Sequence, residues 1–201
     1  MGKTEIFYHG SCYLFDKFSL SFLGCGEGKS KFGHGIYITS SYQTAALYAS
    51  KAAKATGNEN YYVYTVEVPV LVDDNHIYSA QPVNKDIINR VEAAIGETLP
   101  NEVKEAGKYF RKYLGNLLIG NRKSVKQMRD SAKPAAEDAA AEFLARLGIV
   151  FLVWPRVQTK PDSETNRAVL NVKDIKILKI ELVQCDANNK LIEGSEREIT
   201  I

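Results

Sequence analysis

The sequence predicts a mixed α+β chain, and three features carry that expectation. Residues of strand character, β-branched or aromatic, cluster towards both ends. The middle, about 73–147, carries apolar residues at helical spacing. The two patterns do not alternate one for one, which argues for segregated strands and helices and against repeated βαβ units.

Ile6-Phe7-Tyr8 reads as a first strand running into His9, and a loop rich in Ser, Gly and Lys follows at 19–31. A second short strand covers 35–39. Ser40 or Ser41 can cap a helix at 42–56, where Ala45, Ala46, Ala49, Ala52 and Ala53 give high intrinsic propensity and Gly57 supplies the stop. Residues 61–68 alternate at period two and Pro69 closes them. Helices are then expected at 85–95, where Ile87, Ile88, Val91 and Ile95 share a face, at 102–118 after Pro100, and at 124–147 with a break at Pro134. Val150 to Trp154 is a continuous apolar strand ending at Pro155, residues 158–165 form a polar loop, and strands follow at 167–172 and 175–183. A short hairpin is expected around Asn188-Asn189.

A chain of 201 residues suits one domain, 1–201, with a mostly helical insert at about 73–147. Cys12, Cys25 and Cys185 are widely spaced with no Cys-x-x-Cys pair, which points to a reducing compartment rather than a disulfide framework. No apolar run approaches the ~20 residues that span a bilayer, and the start Met1-Gly2-Lys3-Thr4-Glu5 lacks a signal-peptide core, so a cytoplasmic, membrane-free protein is expected. Charge is unevenly distributed. Between Lys104 and Lys133 nine basic residues face two acidic ones, a local +7 against an overall +2. On helices, Lys104, Lys108, Arg111 and Lys112 would share one face, as would Arg122, Lys126, Arg129 and Lys133. Such a face attracts nucleic acid or an acidic partner, or is a solvated helix surface.

Two readings are set aside. Gly26-Glu27-Gly28-Lys29-Ser30 imitates the end of a phosphate-binding P-loop, but Leu23 stands where the motif needs glycine. His9, Cys12, Cys25 and His34 have metal-binding atoms at a spacing that matches no zinc pattern, and no metal is expected.

The chemistry concentrates in Tyr8-His9-Gly10-Ser11 and in Phe32-Gly33-His34-Gly35-Ile36-Tyr37-Ile38-Thr39. Glycines there let backbone approach a ligand closely, Tyr37 offers a wide face with a polar tip, and His9 offers a donor and an acceptor. With Ala45-x-x-Tyr48-Ala49 on the helix, Tyr64-x-Val66-x-Val68-Pro69, Phe143-Leu144-x-x-x-Gly148-Ile149 and the late strands, the chain resembles the NAD-dependent ADP-ribosyltransferase superfamily, on its diphtheria-toxin and poly(ADP-ribose) polymerase side. The nearer likeness is to small transferase domains of bacterial and phage toxins and polyvalent proteins. It covers both ends of the chain and not residues 73–133.

That resemblance implies two small packed sheets around an NAD cleft, with NAD as ADP-ribose donor and no metal. It implies that His9 donates to the adenosine ribose, that Gly10 clamps the nicotinamide amide through its backbone beside Ser11, and that Tyr37 and Tyr48 cover the two faces of the pyridine ring. Phe32, Gly33, Gly35, Ile36 and Thr39 would line the cofactor. Lys29 and Lys31 either meet the pyrophosphate or lie in solvent. The family's catalytic glutamate falls where this chain has Asn166, with Glu164 two residues earlier and on the same side of an extended strand. Ala45 replaces a serine that binds the nicotinamide amide in polymerase-like relatives. The implied activity is toxin-like mono-ADP-ribosyl transfer to a protein or nucleic-acid acceptor, the basic 104–133 segment being a candidate contact and an antitoxin a candidate partner. The alternative is a binding module of the same fold that holds NAD, ADP-ribose or a partner protein without efficient turnover.

Overall fold

A computed structural model describes residues 2–20, 33–156 and 164–200. Eight strands are found among them: β1 (Thr4–Ser11), β2 (Ile36–Thr39), β3 (Tyr61–Pro69), β4 (His76–Tyr78), β5 (Phe151–Pro155), β6 (Thr165–Val169), β7 (Lys176–Val183) and β8 (Arg197–Glu198). The helices are α1 (Tyr42–Thr56), α2 (Lys85–Ile95), α3 (Asn101–Lys104), α4 (Gly107–Leu118), α5 (Val125–Asp130) and α6 (Pro134–Arg146). The α+β expectation holds, with nearly all helix outside α1 gathered in the middle of the chain.

The expected pair of sheets is corrected to one hydrogen-bonded order, β4-β5-β6-β2-β1-β3-β7-β8. Its two halves meet at a single register pair, Tyr8 opposite Thr39. By contrast β1 pairs with β3 along its whole length, Thr4 opposite Pro69 through Ser11 opposite Tyr62. Phe7, Tyr64, Val66 and Ile180 from one half pack with Ile36, Ile38, Phe151, Val153 and Val169 from the other. Each such side chain contributes about 1.5–3 kcal/mol on burial, so this shared core holds together halves that the narrow hydrogen-bonded seam could not.

Helix α1 begins where capping chemistry places it, with the Ser41 hydroxyl accepting from the Thr44 N–H at 3.2 Å and Gly57 closing it at φ 73°. Its alanine stripe lies directly on β1. A Cβ at Gly10 would sit 1.9 Å from the Ala45 carbonyl oxygen, so only glycine admits the helix at this depth.

The middle departs from expectation in two places. Strand β4 was not foreseen, because three residues carry no readable period; it is held by parallel pairing to β5, His76 opposite Phe151. The expected helix 102–118 is broken, since the Gly107 and Lys108 N–H groups donate to the carbonyls of Gln81 and Ser79, both at 2.9 Å. The chain leaving β4 thus caps α4, and Gly107 is needed there because a Cβ would lie 2.5 Å from the Tyr78 carbonyl oxygen. Pro134 starts α6 in its first turn, as its missing N–H allows. Together Ile87, Val91, Val103, Phe110, Leu114 and Leu144 cover Leu152, Ala168 and Leu170 of the β5–β6 region.

Candidate active site

Strand parity decides which side chains can meet. Tyr8 and Gly10 face α1, and the pairs Tyr8–Thr39, Thr39–Asn166 and Asn166–Trp154 carry that face across the sheet. Tyr37, two residues before Thr39, is on it as well. Helix α1 covers one end of this face and α4 and α6 the other. Between them lie Tyr37, Thr39, Trp154 and Asn166, with Glu164 at the edge.

Tyr37 sits edge-on to Trp154, ring centroids 5.6 Å apart, and its hydroxyl donates to the Gly33 carbonyl at 2.9 Å. Thr39 is buried at the seam. Asn166 is 5% exposed, and its Oδ1 has no hydrogen-bond partner among the described residues. An orphaned buried acceptor costs about 1–3 kcal/mol, a penalty that a donor from a bound molecule would remove. Glu164 accepts from Thr44 Oγ1 at 2.9 Å and from Arg156 Nη1 at 3.1 Å. Its carboxylate thus rests at the first turn of α1, where the helix dipole favours negative charge.

His9 lies on the opposite face. Its Nδ1 is 2.8 Å from the Tyr37 carbonyl oxygen, and because a carbonyl can only accept, Nδ1 carries the proton. In that neutral form the ring keeps Nε2 as an acceptor, so a ribose hydroxyl there would donate to His9 rather than accept from it. The imidazole is also edge-on to Phe18 at 5.2 Å and to Tyr64 at 5.9 Å. Burial lowers its pKa from 6.5, and the bond to the Tyr37 carbonyl opposes this only in part. The unfolded chain therefore takes up a proton on His9 at higher pH than the folded one, and stability is lost as pH falls through about 6.5. We expect the wild-type melting temperature to drop between pH 7 and pH 5 by more than that of His9→Gln, which can still donate to Tyr37 but cannot charge. Parallel melting curves for the two proteins would remove His9 from this role.

Other expected contacts are placed differently. Ile36 is a core residue at 4% exposure, on the face away from Tyr37. Tyr48, expected on the inner side of α1, is 46% exposed, because the stripe of Ala45, Ala49, Ala52 and Ala53 occupies the buried side and leaves position 48 on its flank. Ala45 is fully buried against Gly10. The Ser11 hydroxyl accepts from the Tyr13 N–H at 3.0 Å, closing the turn after β1. Gly33, at φ 79°, and Gly35 are packing glycines, the first against α6 and the second against Ala168. Phe32, Lys29, Lys31 and Cys25 lie outside the described residues.

The two expected basic faces are corrected too. Arg111 turns inward, 2% exposed, and pairs with Glu137 at 2.5 Å, while Lys104, Arg122 and Lys126 pair with Glu92, Glu97 and Asp130. Each expected face assumed an unbroken helix, whereas Lys104 lies in α3 and Lys108, Arg111 and Lys112 in α4, and Arg122 and Lys133 lie outside α5, which holds Lys126 and Arg129. Sequence reasoning also passed over Trp154, Thr44 and Glu137, whose placement depends on strand pairing and helix packing. The one available signal was that Trp154 is the sole tryptophan of the chain.

Among the described residues no helix is long and apolar enough to cross a membrane, and no group of three or more His, Cys, Asp or Glu side chains is arranged to hold a metal ion.

No family model matches this chain, and no curated protein matches it. Among solved structures it is similar to a chain of the M. tuberculosis MbcT–MbcA toxin–antitoxin complex, at 14% identity over 91% of this chain and 86% of that one, with a TM-score of 0.42.

Proposed function

We propose that this chain is a toxin-like, NAD-dependent mono-ADP-ribosyltransferase. The observation that carries the reading is the parting of the sheet after Tyr8–Thr39: continued register would put Gly10 opposite Tyr37, but the pairing ends there and His9 takes the Tyr37 carbonyl instead. A strand edge at Gly10, with Tyr37 on the same face of the sheet, would offer backbone donor and acceptor groups to the carboxamide of nicotinamide and a flat face to its ring. Stacking against a cationic pyridinium contributes about 1–2 kcal/mol.

The bond that breaks joins nicotinamide nitrogen to the ribose, and the electron pair leaves with nicotinamide. The ribose passes through an oxocarbenium-like state that a nearby carboxylate stabilises. Glu164 carries that charge in this proposal and Asn166 holds a ribose hydroxyl through its orphaned Oδ1. Tyr37 forms the inner wall, with Trp154 edge-on beside it. ADP-ribose passes to a protein or nucleic-acid acceptor, and a protein antitoxin would cover the cleft.

The test is chromatographic detection of nicotinamide from NAD. Wild type releases it and Tyr37→Ala does not. NAD binding without release, with every candidate acceptor supplied, would replace the enzyme by a binding module; no binding at all would end the proposal.

A further inference from the structure

The Arg111–Glu137 pair lies outside the candidate site, yet a short chain of contacts joins it to Tyr37. Both residues are nearly inaccessible, Arg111 at 2% and Glu137 at 6%, and the guanidinium meets both carboxylate oxygens, Nε to Oε2 at 2.5 Å and Nη2 to Oε1 at 3.3 Å. The fork fixes α6 against α4 in rotation as well as distance, which a single point charge would not. The two helices are in backbone contact nearby, since a Cβ on Gly115 would be 2.0 Å from the Ala136 carbonyl oxygen. One residue on, the backbone of Glu137 touches the chain entering β2: a Cβ on Gly33 would lie 2.3 Å from the Glu137 carbonyl oxygen. The Gly33 carbonyl in turn accepts the Tyr37 hydroxyl.

We infer that Arg111 and Glu137 are positioning residues for Tyr37, setting the α6 backbone on which Gly33 rests and, through the Gly33 carbonyl, the direction of the phenol. A buried ion pair is a poor source of net stability, because desolvating both charges consumes most of the attraction; an apolar pair of similar volume commonly does as well. What the apolar pair lacks is the fixed fork. The helical insert therefore contributes to the geometry of the candidate site. The inference rests on the reading of Tyr37 as a site residue.

Trp154 makes the test independent of turnover. As the sole tryptophan, edge-on to Tyr37, it reports movement of that ring in its emission. The double replacement Arg111→Met with Glu137→Leu is expected to melt no lower than wild type, to shift Trp154 emission, and to lower kcat for nicotinamide release by about 10²-fold, the usual effect of an ångström-scale misplacement. Tyr37→Phe removes the hydroxyl's bond to Gly33 without touching the helices. In that background the double replacement should cause no further shift in emission, since the link it acts through is gone. An unchanged Trp154 spectrum in the folded double variant, or equal shifts with and without the Tyr37 hydroxyl, overturns the inference. Should the apolar pair not fold, Arg111→Lys, which keeps the charge and loses the fork, gives the same comparison. Failure of the wild type to use NAD would defeat the functional reading and leave the emission result standing.

Discussion

Replacing Glu164 by glutamine lowers the rate of nicotinamide release by about 10²–10³-fold, the range observed when one preorganised electrostatic contact to a transition state is lost. Glutamine keeps a side-chain oxygen for the Thr44 hydroxyl, so the side chain at 164 keeps its place against α1. It weakens the half-exposed ion pair with Arg156, which is worth roughly 0–1 kcal/mol after screening. NAD affinity should change little, because the charge acts on a cation that exists only as the glycosidic bond breaks. Single-turnover release kinetics beside equilibrium NAD binding separate these quantities. Asn166→Ala should show the complementary pattern, with weaker binding and a smaller effect on rate. If Glu164→Gln retains full activity while Asn166→Ala loses it, the roles are exchanged and the reaction proceeds without the carboxylate.

Truncating one member of the buried pair, Glu137→Ala, is expected to destabilise the fold by about 3–5 kcal/mol, because the Arg111 guanidinium is left charged at 2% exposure with its carboxylate gone. For a domain of this size that is a large part of total stability. Urea unfolding of wild type, Glu137→Ala and the apolar double variant makes the comparison. The single change should lower the midpoint steeply and the double change should restore it. Equal destabilisation by both would mean that the site needs the fork for folding itself.

Much of the local architecture is legible in the sequence. The bounds of α1 follow from Ser41, the alanine run and Gly57, and those of α2 from the spacing of Ile87, Ile88, Val91 and Ile95, because caps and amphipathic periods are written in consecutive residues. The strand ending at Pro155 and the turn near Asn189, which adopts φ 63°, were legible for the same reason. The candidate site was legible in part. The residues were named, but their sides were not.

The sequence by itself determined the segregation of strand and helix, the position of most elements, and the cluster of glycines and rings in which the proposed chemistry resides, since each of these is encoded within a few neighbouring positions. Only the tertiary structure decided that His9 and Tyr37 stand on opposite faces with the imidazole on the Tyr37 carbonyl, that Trp154 and not Tyr48 is the ring beside Tyr37, and that Arg111 points inward to Glu137. The physical reason is that register and helix rotation are set by partners distant in the chain. A one-residue change in pairing turns every side chain of a strand to the other face, and no local pattern around residues 9, 37 or 111 carries that information.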